Sequence, residues 1–559
     1  MQNIANLFWD MHPFDMLLLL STLVALVWPL VPLRWRPSRW PQLLPTLNVF
    51  LALAHYWLEG LRPSIIPVDM CAGLLWLLTI GRLLRPTPPA VQRGARIRRI
   101  IGIVARGLGI TLMGLSLVIR AMIVTDLSGL RWAVAFDALH TEVSHKYAFG
   151  AWKAIDWDAL YAEVAPQIAA AEATGDQQAY YRALRSYAFA LHDGHIVLVG
   201  DDHGARTAAI GGGYGFAAIG LDDGRTIAHI VDANSPAAQA GMVWGAQILR
   251  WNGQPSDLAV QQVAIVWADV SPATREGQRI EQYRFLTRAP IGRSVEVVFK
   301  NPGASAAITV ILTAVDDQLI TLARNHLTPD LGPGDPPVQT RVLPGGYSYV
   351  RVTREGAALG QPNPIQVYQQ AIADAVARNA PGVIIDVRGN IGGADPMVAD
   401  MANYFYTQPA FFEELAPYDG VSGQVDHAQA RTITIEPRGP HYAGPVAVLI
   451  DPSSKSSGEG IPLVLGRLPQ TTLLGFAGTH GSFGGPSEFV QLPSGYLLIY
   501  TGVQSLDARH QIQVDSDARG EGGVLPDVRV PLTEETVRAA FVDGRDVVLD
   551  VALHTLQGK

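Results

Sequence analysis

Four long apolar runs near the N-terminus restrict the fold more than any other feature of the sequence. They are Phe14–Leu33, Leu43–Leu58, Ile65–Leu84 and Ile100–Ile119. A membrane-spanning helix needs about 20 mostly apolar residues, and all but the second run reach that length comfortably. The runs are apolar on all sides rather than along one face, which is typical of helices surrounded by lipid. We therefore expect residues 1–125 to form a membrane domain of about four transmembrane helices, in contact with membrane lipid.

The arginines between these runs predict the orientation of the membrane domain. The loops after the first run and before the fourth contain Arg34, Arg36, Arg39, Arg85, Arg93, Arg96, Arg98 and Arg99. Basic loops stay on the cytoplasmic side, so both ends of the membrane domain should lie outside the cytoplasm. We expect a multi-pass protein of a bacterial inner or plasma membrane, with everything after about residue 125 extracytoplasmic or periplasmic.

Charge separates the two parts of the chain. Twelve arginines and four acidic residues give residues 1–125 a charge of +8, so the total of −8 leaves −16 for residues 126–559. An acidic soluble part without a basic stripe argues against nucleic-acid binding. The single cysteine, Cys71, excludes a disulfide within the chain. We predict neither a cofactor nor a metal site.

Residues 133–200 are predicted to form a helical subdomain. Apolar residues recur at helical spacing through the segment "DWDALYAEVAPQIAAAEATGDQQAYYRALRSYAFA", which leads into "LHDGH". Gly194 ends the helical pattern, and the apolar stretch "IVLV" then begins a strand. His195 lies at this junction, where a histidine taken alone is a weak candidate for catalysis.

Residues 205–315 resemble a PDZ domain. A glycine-rich stretch, "GGGYGFAAIGL", runs into a strand, and "SPAAQAGMVWGAQILRWNGQP" adds a short helix, a turn and a second strand. The resemblance assigns Tyr214, Gly215 and Phe216 to the loop that binds a peptide carboxylate. In such a site backbone N–H groups hold the carboxylate while the peptide extends the edge of the sheet.

The remainder of the chain is predicted to be an α/β domain. A proline- and glycine-rich segment at 316–345 indicates a linker or an approaching strand. Within 346–535, apolar strands alternate with helical patterns, as in "GVIIDVRGNIGGADPMVADMANYF" and "GPVAVLIDPSSKSSGEGIPLVLGRL". Residues 536–559 form a predicted C-terminal helix or tail.

Two strand-to-helix junctions of this domain carry residues suited to acyl transfer. The segment "DPSSKSSGEG" places four serines at a helix start, where backbone N–H groups are unpaired. The segment "DVRGNIGG" brings Gly392 and Gly393, whose bare backbone can approach a substrate carbonyl. A serine nucleophile beside donors that stabilise negative charge is the equipment of acyl transfer.

Taken together, these pieces resemble peptidase family S41, the C-terminal-processing and tricorn-core-like serine peptidases. The matching segments follow in the family's order and extend over residues 133–535: "YAFGAWKAIDWDALY", "LHDGH", the PDZ-like unit, "GVIIDVRGNIGG", "SSGE", "GTHGSFGG" and "EGGVLPDVRV". The resemblance implies a peptidase core of the crotonase/ClpP-like α/β class.

In that family the nucleophile lies three residues before a glutamate, which corresponds here to Ser456 and Glu459. Ser457 is the alternative in the register. The resemblance also implies an oxyanion hole made by the backbone N–H of Ser457 together with Gly392 or Gly393.

The general base is open to alternatives. One branch of the family uses a lysine in a Thr-x-Gly-Lys loop, but this chain has Ser482 at that position. Lys455 precedes the nucleophile and should point to the opposite side. The other branch uses the histidine of an Asp-Gly-His segment, which corresponds to His195. His480 is the rival, because its loop should lie close to Ser456.

A carboxylate normally holds such an imidazole in the required tautomer. The resemblance favours Glu521 in "GEGGVLPD" for this role, with Asp517 and Asp515 as weaker candidates. The expected function is that of a membrane-anchored serine endopeptidase acting on peptides or protein C-terminal tails. The alternative is a catalytically inactive, S41-like peptide-binding scaffold.

Overall fold

A computed structural model describes residues 124–329, 334–356 and 361–558. The four apolar runs predicted to span a membrane lie outside this part of the chain. Among the helices in the described ranges, none combines the length and the apolar character needed to cross a bilayer.

The chain divides into two compact units. Of the described residues, the first takes 124–139 and 488–499, and the second takes 140–329, 334–356, 361–487 and 500–558. In the described part of the first unit, strand β1 (Val124–Asp126) pairs in parallel with residues 489–491.

Helices dominate the region before the histidine motif. They are α1 (Trp132–Lys146), α2 (Trp157–Thr174) and α3 (Gln177–Phe189). Asp156 and Asp176 cap α2 and α3 by accepting hydrogen bonds from the backbone N–H groups of Ala159 and Ala179. Gly175 ends α2 with a φ of 68°, a conformation that glycine adopts without steric cost. The helical pattern predicted for this region is confirmed.

A mainly β region follows the histidine motif. Its elements are β2 (Val197–Val199), α4 (Ala205–Ile210), β3 (Gly212–Gly213), β4 (Phe216–Gly220), β5 (Thr226–Val231), α5 (Pro236–Gln239), β6 (Gln247–Trp251), β7 (Gln254–Pro255), α6 (Ser256–Gln261), α7 (Arg275–Leu286), β8 (Arg288–Ala289), β9 (Ser294–Lys300), β10 (Ile308–Thr313), β11 (Val315–Asp316) and α8 (Ile320–Arg324). The principal sheet has the order β10-β9-β6-β5-β4, with β7 paired to β6, and a smaller sheet has the order β11-β3-β8. The assignment of this region as a PDZ domain stays a prediction.

The remaining elements build the α/β domain and its C-terminal helices. They are β12 (Val338–Val342), β13 (Ser348–Val352), α9 (Pro364–Ala377), β14 (Val383–Asp386), α10 (Asp395–Ala402), β15 (Ala410–Asp419), β16 (Gln424–Val425), β17 (Arg431–Ile435), β18 (Val446–Leu449), α11 (Ser457–Leu465), β19 (Thr471–Gly475), β20 (Gly485–Gln491), β21 (Leu497–Leu506), β22 (Val528–Arg529), α12 (Glu534–Phe541) and α13 (Val547–Gln557).

Six of these strands form the central sheet, in the order β12-β13-β14-β18-β19-β22. Strands β13 to β22 are parallel, and β12 joins β13 antiparallel at one edge. The second half of the predicted linker is therefore an edge strand. The mixed arrangement of strands and helices agrees with the predicted α/β class.

Both faces of the central sheet are covered, which explains why its strands are continuously apolar. Val383 and Ile385 face a core that also contains residues of α9, α10 and α11. Ile384, between them, points to the other face and packs in a core with Leu549 and Leu556 of α13. This alternation is the period of two expected of a strand.

The register of the central sheet brings the two predicted junctions together. Asp386, the last residue of β14, is the partner of Leu449, the last residue of β18. Since parallel neighbours end at the same edge, the loops that follow β14 and β18 lie side by side. This juxtaposition is the one expected from the sequence.

Candidate active site

Ser456 occupies a turn between β18 and α11 that is unusual for its residue type. It is the N-cap residue of α11, with φ of 56° and ψ of −140°. These angles are rare for residues other than glycine and are retained only where the surroundings enforce them, as at many functional sites. Its backbone N–H donates to the Ser482 carbonyl over 2.8 Å, and its side chain is half-buried.

The neighbouring hydroxyl, that of Ser457, is the less accessible of the two. Ser457 is 1% exposed, and its Oγ accepts a hydrogen bond from the Gly393 N–H at 3.1 Å. Ser456 instead borders the other loop, because a Cβ added to Gly392 would lie 3.0 Å from Ser456 Oγ. Ser456 is therefore the serine that a substrate can reach.

Asp451 ties the serine loop to the loop after β14. Its Oδ1 accepts hydrogen bonds from the N–H of Gly389 at 3.0 Å and from those of Ser453 and Ser454 at 3.1 Å. Ser454 adds a second connection, since its Oγ donates to the Val387 carbonyl at 2.7 Å. These bonds fix the position of the turn that carries the nucleophile candidate.

The two glycines predicted to donate to the oxyanion are present, but their N–H groups are engaged. Gly392 N–H donates to Asn390 Oδ1 at 2.8 Å, and Gly393 N–H donates to Ser457 Oγ. Asn390 Nδ2 donates in turn to Glu355 at 2.7 Å. Burial raises the pKa of Glu355 to about 7. The structure thus brings both glycines to the serine loop, while their N–H groups are satisfied within the protein.

His195 is buried beside the carboxylate of Asp193. Its Nδ1 lies 3.6 Å from Asp193 Oδ1, and its backbone N–H donates to the same oxygen at 2.8 Å. Neither ring nitrogen has a hydrogen-bond partner among the described residues. Burial lowers the pKa of His195 to about 4, so the ring is neutral at pH 7. A neutral imidazole with unused nitrogens can accept a proton.

Asp193 is held in place by buried donors. Its Oδ2 accepts hydrogen bonds from Tyr147 Oη at 3.0 Å and from Thr501 Oγ1 at 2.9 Å. Burial acts to raise the pKa of Asp193, but His195, Lys153 and the hydrogen bonds outweigh it and hold that pKa below its ordinary value. Asp193 is therefore a fixed negative charge next to the imidazole.

Lys153 supplies a buried positive charge behind this pair, a feature that the sequence analysis missed. Its Nζ donates to the His192 carbonyl at 3.0 Å, to the Ser516 carbonyl at 3.1 Å and to Ser516 Oγ at 2.6 Å. Burial lowers its pKa, while the charges of Asp193 and Asp515 act in the opposite direction. No signal of this role was visible in the sequence, because Lys153 lies in a segment that was predicted only to be helical.

Ser482 connects the histidine segment to the nucleophile turn. Its carbonyl accepts the hydrogen bond from Ser456, and its Oγ accepts one from Gly194 N–H at 2.8 Å. The residue that replaces the lysine of the other family branch thus holds His195 and Ser456 on neighbouring segments. The sequence analysis had noted the replacement without assigning it this function.

His480, the rival base, lies in the same region. It is 7% exposed, and its Nδ1 lies 3.0 Å from Ser482 Oγ. A Cβ added to Gly194 would lie 2.6 Å from His480 Cε1, so the ring packs directly on the histidine segment. Burial lowers the pKa of His480 to about 3. Both imidazoles are therefore neutral at pH 7, and His480 has a hydroxyl contact that His195 lacks.

Glu459, the glutamate of the Ser-x-x-Glu pattern, organises the loop that contains His480. Its buried carboxylate accepts hydrogen bonds from Thr479 Oγ1 at 2.5 Å, Gly481 N–H at 2.7 Å and Ser482 N–H at 2.9 Å. Burial raises its pKa to about 7. The spacing of Ser456 and Glu459 thus fixes the turn after β19 against the nucleophile helix.

Lys455 braces the histidine segment. Its Nζ donates to the Gly194 carbonyl at 3.2 Å, and burial lowers its pKa. This hydrogen bond gives the side chain a structural partner between the serine loop and His195.

The structure does not bring Glu521 to His195, and this prediction is corrected. Glu521 is exposed, and its backbone forms a turn with Asp517 through hydrogen bonds of 2.9 and 3.0 Å. Within the described ranges, the carboxylate paired with the His195 ring belongs to Asp193. The signal was present in the sequence, because Asp193 is part of the same "HDGH" segment.

Asp515 and Asp517, the weaker candidates, differ from each other. Asp515 is 3% exposed, and its carboxylate accepts hydrogen bonds from the N–H groups of Phe483 and Gly484 at 2.9 Å. Burial and the nearby Asp193 raise its pKa well above the ordinary value. Asp517 is engaged in its own surface turn. Asp515 therefore supports the loop after His480 and does not pair with His195.

Of the three residues predicted to bind a peptide carboxylate, Tyr214 and Gly215 precede β4 and Phe216 is its first residue. Tyr214 and Phe216 are 3% and 0% exposed and belong to the core of the β region. Gly215 has a φ of 82°, and a Cβ there would collide with Ser235 at 2.1 Å. A ligand at this turn would meet backbone rather than these aromatic side chains.

A cavity of about 1060 Å³ connects β4 to the site loops. Its lining includes residues 218–220 of β4, residues 275–284 of α7, residues 450–453 after β18 and residues 476–480 after β19. Glu521 lines the same cavity. The enclosed space is of the size that holds a short peptide segment.

Comparison with known proteins identifies the domain that carries this site. Residues 347–530 match the model of peptidase family S41, over about a third of the chain. This part of the chain is an S41 peptidase domain, which confirms that part of the predicted resemblance. This domain is accordingly of the serine peptidase class.

Solved structures support the fold. The structure of mature CPAF is 16% identical, with a TM-score of 0.51, and the match covers 76% of this chain and 97% of that chain. Mature CPAF complexed with lactacystin is 15% identical, with a TM-score of 0.51, and the match covers 77% of this chain and 99% of that chain. The photosystem II D1 C-terminal processing protease is 18% identical, and the match covers 75% of this chain and 98% of that chain. Its TM-score is 0.33, which is too low to support the fold. No curated protein matches the chain.

Proposed function

We propose that this protein is a membrane-anchored serine endopeptidase that cleaves peptides or protein C-terminal tails outside the cytoplasm. The observation that carries the proposal is the turn at Ser456. A reachable serine in a conformation rare for its type lies one residue from a helix start, and Ser482 links it to the segment of a buried, neutral histidine.

In the proposed reaction Ser456 Oγ attacks the scissile carbonyl carbon. His195 accepts the hydroxyl proton and then gives it to the leaving amine, so that the acyl-enzyme forms; water and the same imidazole complete the hydrolysis. Asp193 orients His195 and stabilises the imidazolium. The 3.6 Å separation between their ring and carboxylate atoms shortens when substrate binds, as catalytic hydrogen bonds often do.

The oxyanion hole requires a local rearrangement. Gly392 and Gly393 donate to Asn390 and Ser457 in this structure, so a substrate oxygen must displace these acceptors. Gly392 has a left-handed φ of 89°, and because glycine has no Cβ its backbone can change conformation at little steric cost when the acceptors are displaced. Negative charge on a tetrahedral intermediate is a stronger acceptor than either neutral side chain.

The substrate approaches through the cavity between the β region and the site loops. Strand β4 is the last strand in its sheet order, and residues 218–220 of this strand line the cavity. An extended chain can pair with a sheet edge in this way, as in PDZ-type recognition. The β region would thus recruit a C-terminal tail and direct it toward Ser456.

The membrane anchor is assigned to residues 1–125. Support comes from the four apolar runs and from the arginine loops described above. Truncation to residues 124–559 should release a protein into the aqueous phase that retains peptide hydrolysis, whereas the full chain should remain with the membrane fraction. A full chain that leaves the membrane in carbonate extraction would refute the anchor.

Labelling with a fluorophosphonate, which phosphonylates activated serines, tests the catalytic assignment. Intact-mass analysis should show one adduct on the wild-type chain, none on Ser456→Ala and one on Ser457→Ala. An adduct that survives in Ser456→Ala and disappears in Ser457→Ala would reject the register. Thermal unfolding of both variants serves as the control for folding.

A peptide-binding scaffold without catalysis is the second candidate. Two observations favour it: the Gly392 and Gly393 donors are internally satisfied, and Ser482 replaces the lysine of one family branch. Sequencing of protein C-termini from cells with the wild-type chain or with Ser456→Ala separates the two functions. New C-termini that depend on Ser456 support the peptidase, and identical C-termini support the scaffold.

A further inference from the structure

We propose that Glu414, His427 and His510 form a zinc-type metal site on the surface of the peptidase domain. His427 Nδ1 lies 2.7 Å from one carboxylate oxygen of Glu414, and His510 Nδ1 lies 3.0 Å from the other. One ligand atom from each residue can be chosen so that all three lie within 4.8 Å of one another. This site is separate from the proposed catalytic residues and does not depend on their assignment.

Strand register places the glutamate between the two histidine loops. Glu414 lies on β15, where it is the partner of Thr432 on β17 and of Leu506 on β21. His427 precedes β17 and His510 follows β21, so each histidine comes from a turn next to a neighbouring strand. A metal would therefore cross-link segments more than 80 residues apart in the sequence.

Both turns are held by hydrogen bonds that the carboxylate of their first residue accepts from backbone N–H groups. Asp426 Oδ1 accepts the N–H of Ala428 at 2.9 Å, and Asp507 Oδ1 accepts the N–H groups of Arg509 at 2.8 Å and Gln511 at 2.9 Å. Such aspartate turns fix the backbone locally. The histidines therefore approach the carboxylate from ordered turns, which lowers the entropic cost of binding a metal.

The two histidine side chains are accessible to an ion and to water. The two imidazole rings lie 4.8 Å apart at an interplanar angle of 70°. The histidine side chains are 50% and 58% exposed, whereas the side chain of Glu414 is 11% exposed. A buried carboxylate with two accessible imidazoles gives an ion a fixed anionic ligand and a direct path from solvent.

The ligand chemistry selects the metal. Two imidazoles and one carboxylate suit Zn²⁺ or a similar late first-row ion, whereas Ca²⁺ and Mg²⁺ prefer oxygen ligands throughout. In the structure each Nδ1 can donate a proton to the carboxylate. To bind zinc through Nδ1, each neutral ring carries its proton on Nε2 instead, which frees the Nδ1 lone pair for the ion at about 2.0–2.1 Å; water can take the fourth position.

Zinc binding to the full-length chain in detergent tests the proposal. After treatment with EDTA and its removal, equilibrium dialysis against zinc chloride should give one ion per chain that is absent from His427→Asn and from His510→Asn. Saturating zinc should raise the Tm of the wild type by about 3–6 °C and leave the Tm of both variants unchanged.

His203 offers a matched control. Like His510 it has a left-handed backbone, with φ of 50° against 60°, and its Nδ1 lies 3.7 Å from a carboxylate oxygen of Asp201. Among the described residues, the group of His, Cys, Asp and Glu side chains close enough to share an ion consists of Glu414, His427 and His510 and does not include His203. His203→Asn should therefore keep the zinc ion and the Tm shift. No bound ion in the wild type, or an ion that persists in His427→Asn and His510→Asn, would overturn the proposal.

Discussion

The loops after β18 and β14 lie side by side at the same sheet edge, yet they are in different states. In the loop after β18, Ser456 is held in a strained turn and its hydroxyl is reachable. In the loop after β14, the N–H groups of Gly392 and Gly393 are satisfied by Asn390 and Ser457. The nucleophile is positioned in advance, whereas the glycine donors of the oxyanion hole are not free.

This difference indicates which step depends on the substrate. Backbone N–H groups buried without partners are costly, so an unoccupied oxyanion hole is stabilised by internal acceptors. Exchange of those acceptors for the substrate oxygen couples binding to assembly of the site. The serine side requires no such exchange, because Asp451, Glu459 and Ser482 already fix it.

A large effect is expected at Asp193, which supports the general base of the nucleophile that is positioned in advance. Asp193→Asn removes the charge that stabilises the imidazolium of His195, so the second-order rate of fluorophosphonate labelling should fall by about 10²–10⁴. Glu521→Gln is the matched control and should change this rate by less than about threefold. The reverse order of these two effects would restore Glu521 as the orienting residue. Circular dichroism should show that both variants fold, because the asparagine side chain in Asp193→Asn keeps an acceptor oxygen for Tyr147 and Thr501.

The pH dependence of labelling probes the same side. Burial lowers the pKa of His195 to about 4, and a base must be neutral to accept the serine proton. At pH 5 labelling should keep most of its plateau rate, whereas a base with an ordinary pKa near 6.5 would lose about 30-fold. A midpoint near pH 6.5 would mean that the base is solvated in the reacting enzyme.

Folding stability should follow the same histidine. Its pKa is lower in the folded than in the unfolded chain, so the unfolded chain binds more protons between pH 6.5 and 4. This contribution to stability is present above pH 6.5 and is lost as the pH falls through that window. His195→Gln should lose less Tm than the wild type between pH 7 and 5. Equal losses in the two proteins would contradict a buried neutral His195.

The smallest effect is expected at Ser457, whose hydroxyl occupies the Gly393 donor of the oxyanion hole. Ser457→Ala removes the internal acceptor of Gly393 N–H. The substrate oxygen then has no side-chain acceptor to displace from this donor. One hydrogen bond is worth about 0.5–1.5 kcal/mol, so labelling should accelerate by about two- to tenfold. A tenfold decrease would mean that Ser457 Oγ supports the reaction and would remove the contrast between the two loops.

The sequence was sufficient to locate both loops. Continuous apolar runs ending at Asp386 and Leu449 indicate buried parallel strands, and neighbouring parallel strands end at the same edge. The glutamate three residues after Ser456 likewise marked the turn that the structure shows. Such features depend on local patterns and on a general rule of sheet topology.

Contacts between distant side chains were beyond the sequence. The sequence placed Asp193 beside His195, but whether Glu521 also reaches the ring depends on where the "EGGVLPD" turn lies after folding. The engagement of Gly392 depends on the rotamer of Asn390. The approach of His427 and His510 to one carboxylate depends on the register of three strands. None of these is encoded in spacing along the chain.

Comparison of His195→Gln with His480→Gln tests the central claim most directly. Both histidines are buried and neutral near the serine loop, and glutamine retains bulk and a hydrogen-bonding group at each position. The account predicts that fluorophosphonate labelling of Ser456 falls by about 10³ or more in His195→Gln and stays within about tenfold in His480→Gln. Loss of labelling in His480→Gln with retention in His195→Gln would contradict it.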